Sequence, residues 1–344
     1  MAEAGAWRAA VEDHGGSIER ARLRFPGAPE PLLDLSTGIN PHAYRFSLLP
    51  ATAWTRLPEQ GRQRQLEETA AAAYGAPSAD HVVAAPGTQI LLPLVAGLVA
   101  PGHARVLGPT YAEHARAAAL AGHAVEEVST FDSLFGADLA IVVNPNNPDG
   151  RLSSRDRLLQ LAAEMRARGG LLVVDEAFMD VGTVSESLCG DVGQENIVVL
   201  RSFGKFFGLA GLRLGFAVLN PEIASRLAGL FGPWSVSGPA LEIGIAALGD
   251  TAWRDAMVAL LEAHAARLDA LLAHADIKVQ GGTSLYRYVE FDDAPHFFDH
   301  CGHRGIALRD FAGRPRALRI GLPGAEPDWS RLARALDEWK EATP

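Results

Sequence analysis

Residues 171–205 read LLVVDEAFMDVGTVSESLCGDVGQENIVVLRSFGK, and this stretch decides the fold. It holds two apolar runs, LLVV and IVVL, that do not alternate with polar residues, the mark of strands covered on both faces. Each run ends abruptly in polar chemistry, Asp175-Glu176 after the first and Ser202 to Lys205 after the second. Outward from this stretch, runs of the same kind occur at 81–87 (HVVAAPG), 104–109 (ARVLGP), 139–145 (LAIVVNP) and 212–219 (LRLGFAVL). Helical patterns lie between several of them, at 111–122 and at 153–168, where Gly169 and Gly170 supply a stop. The chain is therefore expected to form an α/β fold with a mostly parallel central sheet and flanking helices. In such sheets ligands sit beyond the carboxyl ends of the strands. The unusual residues fall there: Gly87-Thr88-Gln89, Asn144 to Gly150, Asp175-Glu176 and Ser202 to Lys205.

After Gly232 the pattern changes. A long helical stretch at 251–275 leads into short strands at 277–280, 285–291, 306–309 and 317–320, with helices at 295–303 and 328–341. The expected partition is an N-terminal arm over 1–50, a large α/β domain over 51–232 and a small α+β domain over 233–344. The 344 residues carry a formal net charge of -10, which argues against a nucleic-acid partner. No run is apolar and long enough for a membrane span, and the N-terminus lacks a basic stretch before an apolar core, so a soluble cytoplasmic protein is expected. The 2 cysteines, Cys189 and Cys301, give neither a disulfide framework nor a thiol-zinc spacing.

Lysine is scarce: it stands only at 205, 278 and 340, so nearly all of the 31 basic residues are arginine. A lysine can lose its proton and act as a nucleophile, which arginine does not. Lys278 and Lys340 sit among charged or polar neighbours. Lys205 instead stands in RSFGKFFGLAG, among glycines and phenylalanines. Pyridoxal 5'-phosphate requires an amine for its aldehyde, a carboxylate for its pyridine nitrogen, donors for its phosphate and a flat group against its ring. Each has a candidate. Lys205 supplies the amine, Asp175 the carboxylate and Tyr111 the flat ring, while Ser202, Arg213 and the Gly87-Thr88-Gln89 turn supply phosphate donors. Asn147 stands between two prolines in NPNNPDG. Taken singly, Asp175 would read as a helix cap, Arg213 as surface charge, Tyr111 as core and the turns as plain turns. Their joint order along the chain is what discriminates.

These segments resemble the fold-type I, class I/II aminotransferase family of pyridoxal phosphate enzymes, over about residues 14–340. NPNNPDG, VVDEAF and SFGK followed by GLRLG are similar to its signature segments. The resemblance implies cofactor roles for Asn147, Asp175, Ser202, Lys205 and Arg213, with Lys205 as the catalytic residue. It also implies that Arg319, in ALRIGLP, grips a substrate carboxylate and that Arg309 helps bind a substrate phosphate. Within the family the chain looks closest to the threonine-phosphate decarboxylases of cobalamin biosynthesis, with histidinol-phosphate aminotransferases as the competitor. DHGGS, carrying His14 and Gly15, and DLSTGINP, carrying Gly38 and Ile39, are similar to decarboxylase segments that approach the substrate, to which Asn147 is also assigned. Phe178 stands where many aminotransferases place a tyrosine beside the cofactor's phenolic oxygen.

The resemblance implies a homodimer acting on a small phosphorylated amino acid: L-threonine O-3-phosphate would lose CO2 to give (R)-1-amino-2-propanol O-2-phosphate. A transaminating enzyme would use nearly the same residues, and a non-catalytic regulatory protein would not require an intact Lys205. Two departures stand out. Arg56-Leu57-Pro58-Glu59 replaces a tyrosine-containing segment that reaches the partner's phosphate, and Asp149 replaces a threonine. His296, His300 and His303 lie at helical spacing, but an exposed polar helix face explains them better than a zinc site, so no metal is expected. The chain has no P-loop and no G-x-G fingerprint.

Overall fold

A computed structural model describes residues 15–193 and 196–342. Its contacts group the chain into two units, the larger formed by Tyr44–Asn147 with Leu152–Arg254. The smaller is formed by the described residues 15–43, Pro148–Arg151 and residues 255–342.

Strand β1 (Leu33–Asp34) opens the chain's strands and belongs to the smaller unit. The sheet of the larger unit comprises β2 (Val82–Ala85), β3 (His103–Leu107), β4 (Ala124–Val128), β5 (Leu139–Val143), β6 (Leu171–Asp175), β7 (Ile197–Ser202) and β8 (Gly215–Leu219). Their order is β2-β8-β7-β6-β5-β3-β4. The run from β4 to β7 is parallel, and β8 lies antiparallel between β7 and β2. Every residue of β5, β6 and β8 is buried, as their unbroken Val, Ile and Leu runs require. All six expected strands form. The seventh, β4, escapes a sequence reading because its AVEEV buries only Val128, as suits an edge strand.

The helices that cover the sheet follow from their apolar spacing. Arg155–Ala167 buries Leu158, Leu161, Ala162 and Met165, positions that share one face. It stops at Gly169, whose φ of 73° admits the left-handed turn. Gln60–Tyr74 buries Leu66, Ala70, Ala71 and Tyr74. That helix packs against Gly238–Gly249, where a Cβ on Gly244 would stand 2.8 Å from Leu66 Cδ1. This packing places residues 233–254 with the larger unit, whose contacts run to Arg254.

One ionic cluster lies inside this unit. Arg201, on β7, pairs with Glu176 and Asp180, each at 2.9 Å, and its guanidinium lies 4.4 Å from the centroid of the Tyr74 ring. Glu176 also accepts from the Ser187 hydroxyl at 2.6 Å and the Leu188 amide at 2.8 Å. Burial works against the charge on Arg201, but Asp180 and Glu176 more than offset it and raise its pKa above the ordinary arginine value. Both cysteines are buried, and burial first, then Glu176, pushes the Cys189 thiol up to about 12.

The smaller unit builds a four-stranded antiparallel sheet from β9 (Val279–Thr283), β10 (Tyr286–Glu290), β12 (Arg309–Asp310) and β13 (Ala317–Gly321), in the order β12-β13-β10-β9. Strand β11 (Ile306–Ala307) pairs in parallel with β1, so the N-terminal segment is tied into this unit by backbone hydrogen bonds. Helices Thr251–His274, Ala294–His303 and Glu326–Ala342 accompany the sheet. The loop Pro148–Arg151 joins them because two glycines leave room. A Cβ on Gly281 would meet the Asp149 carbonyl oxygen at 2.1 Å, and one on Gly150 would meet that of Gly282 at 2.1 Å. Among the described residues no helix is long and apolar enough to cross a membrane.

Replacing Arg201 with methionine leaves two buried carboxylates without their shared cation. The substitution is expected to lower unfolding free energy by about 3–5 kcal/mol in urea titrations. A loss below about 1 kcal/mol would mean that the cluster is not held as an ion pair.

Candidate active site

Parallel strands that end together position the candidate residues of the larger unit. Asp175, the last residue of β6, stands opposite Leu200 on β7, two residues before Ser202. Ser202 stands opposite Gly215, the first residue of β8. Directly after Ser202 the chain turns into the short helix Phe203–Phe206, which carries Lys205. Gly204 permits the turn that follows, since a Cβ there would stand 2.8 Å from Ala210 Cα.

The neighbouring glycines let backbone and side-chain donors approach one another closely. A Cβ on Gly215 would stand 2.7 Å from the Thr88 backbone nitrogen, so the start of helix Thr88–Ala96 lies directly against the start of β8. Gly87 precedes that helix with φ of 89°, and a Cβ there would meet Arg213 Nη2 at 2.8 Å. Arg213 itself adopts a left-handed φ of 55° and donates Nη1 to the Ala210 carbonyl at 3.1 Å. The structure thus brings Gly87, Thr88, Ser202 and Arg213 together, with a helix N-terminus, a hydroxyl and a guanidinium available to one anion.

Asp175 is 6% exposed and His114 only 1%. His114 Nε2 lies 2.8 Å from Asp175 Oδ2, while Oδ1 accepts the Ala177 amide at 3.0 Å. A carboxylate can only accept, so Nε2 carries the proton of this pair. The Tyr111 ring meets His114 edge-on, at 5.9 Å between centroids and 83° between planes. Burial first, then Glu113 and Asp175, pushes the Tyr111 phenol up to about 12, so it is neutral throughout the physiological range. Gln89 does more than open a helix: its side chain accepts from the Tyr111 hydroxyl at 3.0 Å and donates to Glu113 at 2.9 Å. Phe178 is buried three residues beyond Asp175. Asn147 is half-buried and follows Asn146, whose amide is tied to Thr110 and to the Pro109 carbonyl. His114 and Glu113 were not among the residues expected from sequence. The available signal was their spacing after Tyr111 at the head of a helix.

The second group of predicted residues lies in the smaller unit. Arg309 on β12 and Arg319 on β13 are direct cross-strand partners, which puts both side chains on one face of the sheet. Arg319 is 7% exposed, donates Nη2 to the Ser36 carbonyl at 2.8 Å and lies 5.1 Å from the centroid of the Tyr286 ring. Burial, helped by Arg309, brings it down to about 10, so it remains a cation at neutral pH but at a cost that a bound anion would relieve. Gly15 approaches the same place: a Cβ there would meet the Ser36 carbonyl oxygen at 2.4 Å and Arg309 Cδ at 3.4 Å. Ser36 is fixed by Asp34, which accepts its amide at 2.8 Å and its hydroxyl at 2.6 Å, and Gly38 and Ile39 follow in the same segment. His14 lies outside the described residues. The histidines of Ala294–His303 are otherwise engaged. His300 bonds the Ala335 carbonyl at 2.7 Å, His296 pairs with Asp293, and His303 packs against Phe25. Arg56, Leu57 and Glu59 are exposed on the connection between helices Thr52–Thr55 and Gln60–Tyr74.

With this geometry in hand, the family described as "Aminotransferase class I and II" matches residues 51–336. The chain belongs to that family. It is 44% identical to a threonine-phosphate decarboxylase from Sinorhizobium sp., over 94% of this chain and 97% of the relative. A threonine-phosphate decarboxylase from Pseudomonas aeruginosa is 40% identical over 96% of this chain and 98% of its own. Among solved structures, histidinol-phosphate aminotransferase from Sinorhizobium meliloti in complex with pyridoxal-5'-phosphate superposes with a TM-score of 0.79 at 19% identity, covering 96% of each chain. That likeness concerns the fold, and it agrees with the mostly parallel sheet read from the sequence.

Replacing His114 with leucine leaves a buried carboxylate oxygen without its donor. The protein without ligands is expected to lose about 1–3 kcal/mol of stability, read by denaturant unfolding, with His114→Gln recovering part of the loss.

Proposed function

We propose that this protein is a pyridoxal 5'-phosphate-dependent decarboxylase of L-threonine O-3-phosphate, releasing CO2 and (R)-1-amino-2-propanol O-2-phosphate in cobalamin biosynthesis. The observation that carries the reading is the 44% identity to a threonine-phosphate decarboxylase across 97% of that relative's length.

The larger unit fits the cofactor on its own geometry. The cradle of Gly87, Thr88, Ser202 and Arg213 suits a phosphate, because the Arg213 guanidinium occupies the space where any side chain at position 87 would go. Asp175, buried and hydrogen-bonded to His114, suits a protonated pyridine nitrogen. Tyr111 offers a ring face, Asn147 an amide, and Phe178 an apolar wall without a hydroxyl. Bound there, pyridoxal phosphate supplies an electron sink for the pair left behind when a bond to the substrate's α-carbon breaks. Lys205 is the amine that would hold the cofactor's aldehyde carbon, and its Nζ would be the group placed to give a proton to the substrate carbon after CO2 has left.

The substrate carries two anionic groups, and the smaller unit offers two guanidiniums side by side. Arg319 takes the carboxylate and Arg309 the phosphate, with Gly15, Gly38 and Ile39 lining the backbone around them. Two guanidiniums opposite each other on paired strands suit a substrate that carries two anionic groups. We further propose that the enzyme acts as a homodimer. Leu48, Trp54, Leu57 and Trp234 are 101%, 68%, 63% and 55% exposed, and helices Thr52–Thr55 and Gly238–Gly249 meet where Gly238 approaches the Ala53 carbonyl. Large apolar side chains left in water on neighbouring segments suit burial against a second copy.

Light scattering on the purified protein is expected to give twice the chain mass, and Trp54→Glu with Trp234→Glu to shift it toward the monomer. Incubated with pyridoxal phosphate and L-threonine O-3-phosphate but no oxo-acid, the enzyme is expected to release CO2 and phosphorylated amine in equal amounts. Lys205→Ala should lower that rate by a factor on the order of 100 or more. If neither product forms, and histidinol phosphate with 2-oxoglutarate yields glutamate, the enzyme is an aminotransferase and the decarboxylase assignment fails.

A further inference from the structure

Tyr111 is anchored at its hydroxyl as well as at its ring. The hydroxyl lies 3.0 Å from Gln89 Oε1, Gln89 Nε2 lies 2.9 Å from Glu113 Oε2, and Arg116 Nη1 reaches the same oxygen at 3.2 Å. The chemistry of these groups gives the chain a direction. A side-chain amide has a donor end and an acceptor end and can turn end for end, whereas a carboxylate only accepts. Glu113 therefore draws the NH2 of Gln89 toward itself and leaves the carbonyl facing Tyr111, so the phenol must donate. The phenol keeps its proton to do so, since burial pushes its pKa up to about 12.

The burial pattern says which member holds the others. Glu113 is 5% exposed and tied to Arg116, whereas Gln89 is exposed and would rotate in water if nothing held its NH2. Glu113 is thus the fixed end and Tyr111 the held end. The edge-on contact with His114 constrains the same ring at a second point. Two anchors on one aromatic ring set its plane, and the plane is what matters for a ring that stacks.

We propose that Glu113 is a positioning residue: acting through the Gln89 amide, it fixes the plane of the Tyr111 ring against the coenzyme's pyridine ring. This rests on the pyridoxal phosphate reading given above. Glu113 itself touches neither coenzyme nor substrate in this assignment. Replacing it with glutamine keeps the shape but offers a donor as readily as an acceptor, so the Gln89 amide loses its preferred orientation.

The test is a double-mutant cycle read by the dissociation constant of pyridoxal phosphate and by the visible absorption maximum of the bound coenzyme. Glu113→Gln and Tyr111→Phe are each expected to weaken binding about fivefold, the worth of one hydrogen bond, and to shift the maximum alike. The double variant should be no weaker than Tyr111→Phe alone, because the second change removes what the first acts through. Gln89→Leu, an exposed change that leaves the buried carboxylate in place, should behave as Glu113→Gln does and cover the case in which that variant misfolds. If the two losses multiply to about 25-fold, or if Glu113→Gln and Gln89→Leu bind coenzyme as tightly as the parent, the positioning role is refuted. If the parent shows no coenzyme band at saturating pyridoxal phosphate, the cofactor reading falls and takes this inference with it.

Discussion

The arrangement of the larger unit depends on one constraint: β5, β6 and β7 run parallel and reach their carboxyl ends in register. Val143 pairs with Asp175 and Asp175 with Leu200, so three strands stop within a few residues of one another. Parallel strands covered on both faces have no use for polar side chains until they emerge. Polar residues accordingly stand where these strands end: a carboxylate closes β6, a hydroxyl closes β7 and an amine follows on the short helix after it. Below that edge Arg201 ties Glu176 to Asp180. Glu176 follows Asp175 and Arg201 precedes Ser202, so the ion pair joins the two strand ends on which the proposed cofactor contacts sit. A buried ion pair is seldom the most stable filling for its volume. Here it gives the strand ends a defined relation that an apolar filling would leave looser.

How much of this could be read from the sequence depended on whether the cause was local. The buried strands were legible because their apolar runs are unbroken, and the glycines after them because they interrupt helices and strands at the edge. β4 was not, since Glu126 and Glu127 face water at the sheet's margin and give an edge strand the look of a loop. The passage from one unit to the other at Arg254 depends on a distant contact. The change of pattern after Gly232 is real, but helix Gly238–Gly249 belongs with Gln60–Tyr74 through a contact nearly two hundred residues long in sequence. Likewise, Arg309 and Arg319 could each be singled out from their motifs, while their direct cross-strand pairing is a matter of register. His114 and Glu113 were overlooked because a histidine and a glutamate at the head of an alanine-rich helix look like ordinary surface residues until the fold buries them.

Charge is placed differently in the two units. The larger one buries carboxylates with matching donors, Asp175 with His114 and Glu176 with Arg201. The smaller one sets Arg309 opposite Arg319 on paired strands, and Asp34 orders Ser36, whose carbonyl Arg319 reaches. The buried ion pairs of the larger unit suit a scaffold that must hold its shape.

The scarcity of lysine has a consequence for chemical selectivity. An aldehyde condenses with any accessible amine, whereas a guanidinium does not form such adducts readily. Lys340 is already bound to the His274 carbonyl at 2.6 Å and paired with Asp276. A protein that writes its surface charge in arginine therefore presents a reactive carbonyl compound with few decoys. Fidelity of labelling is then set as much by which amines the chain omits as by the affinity of the one it keeps.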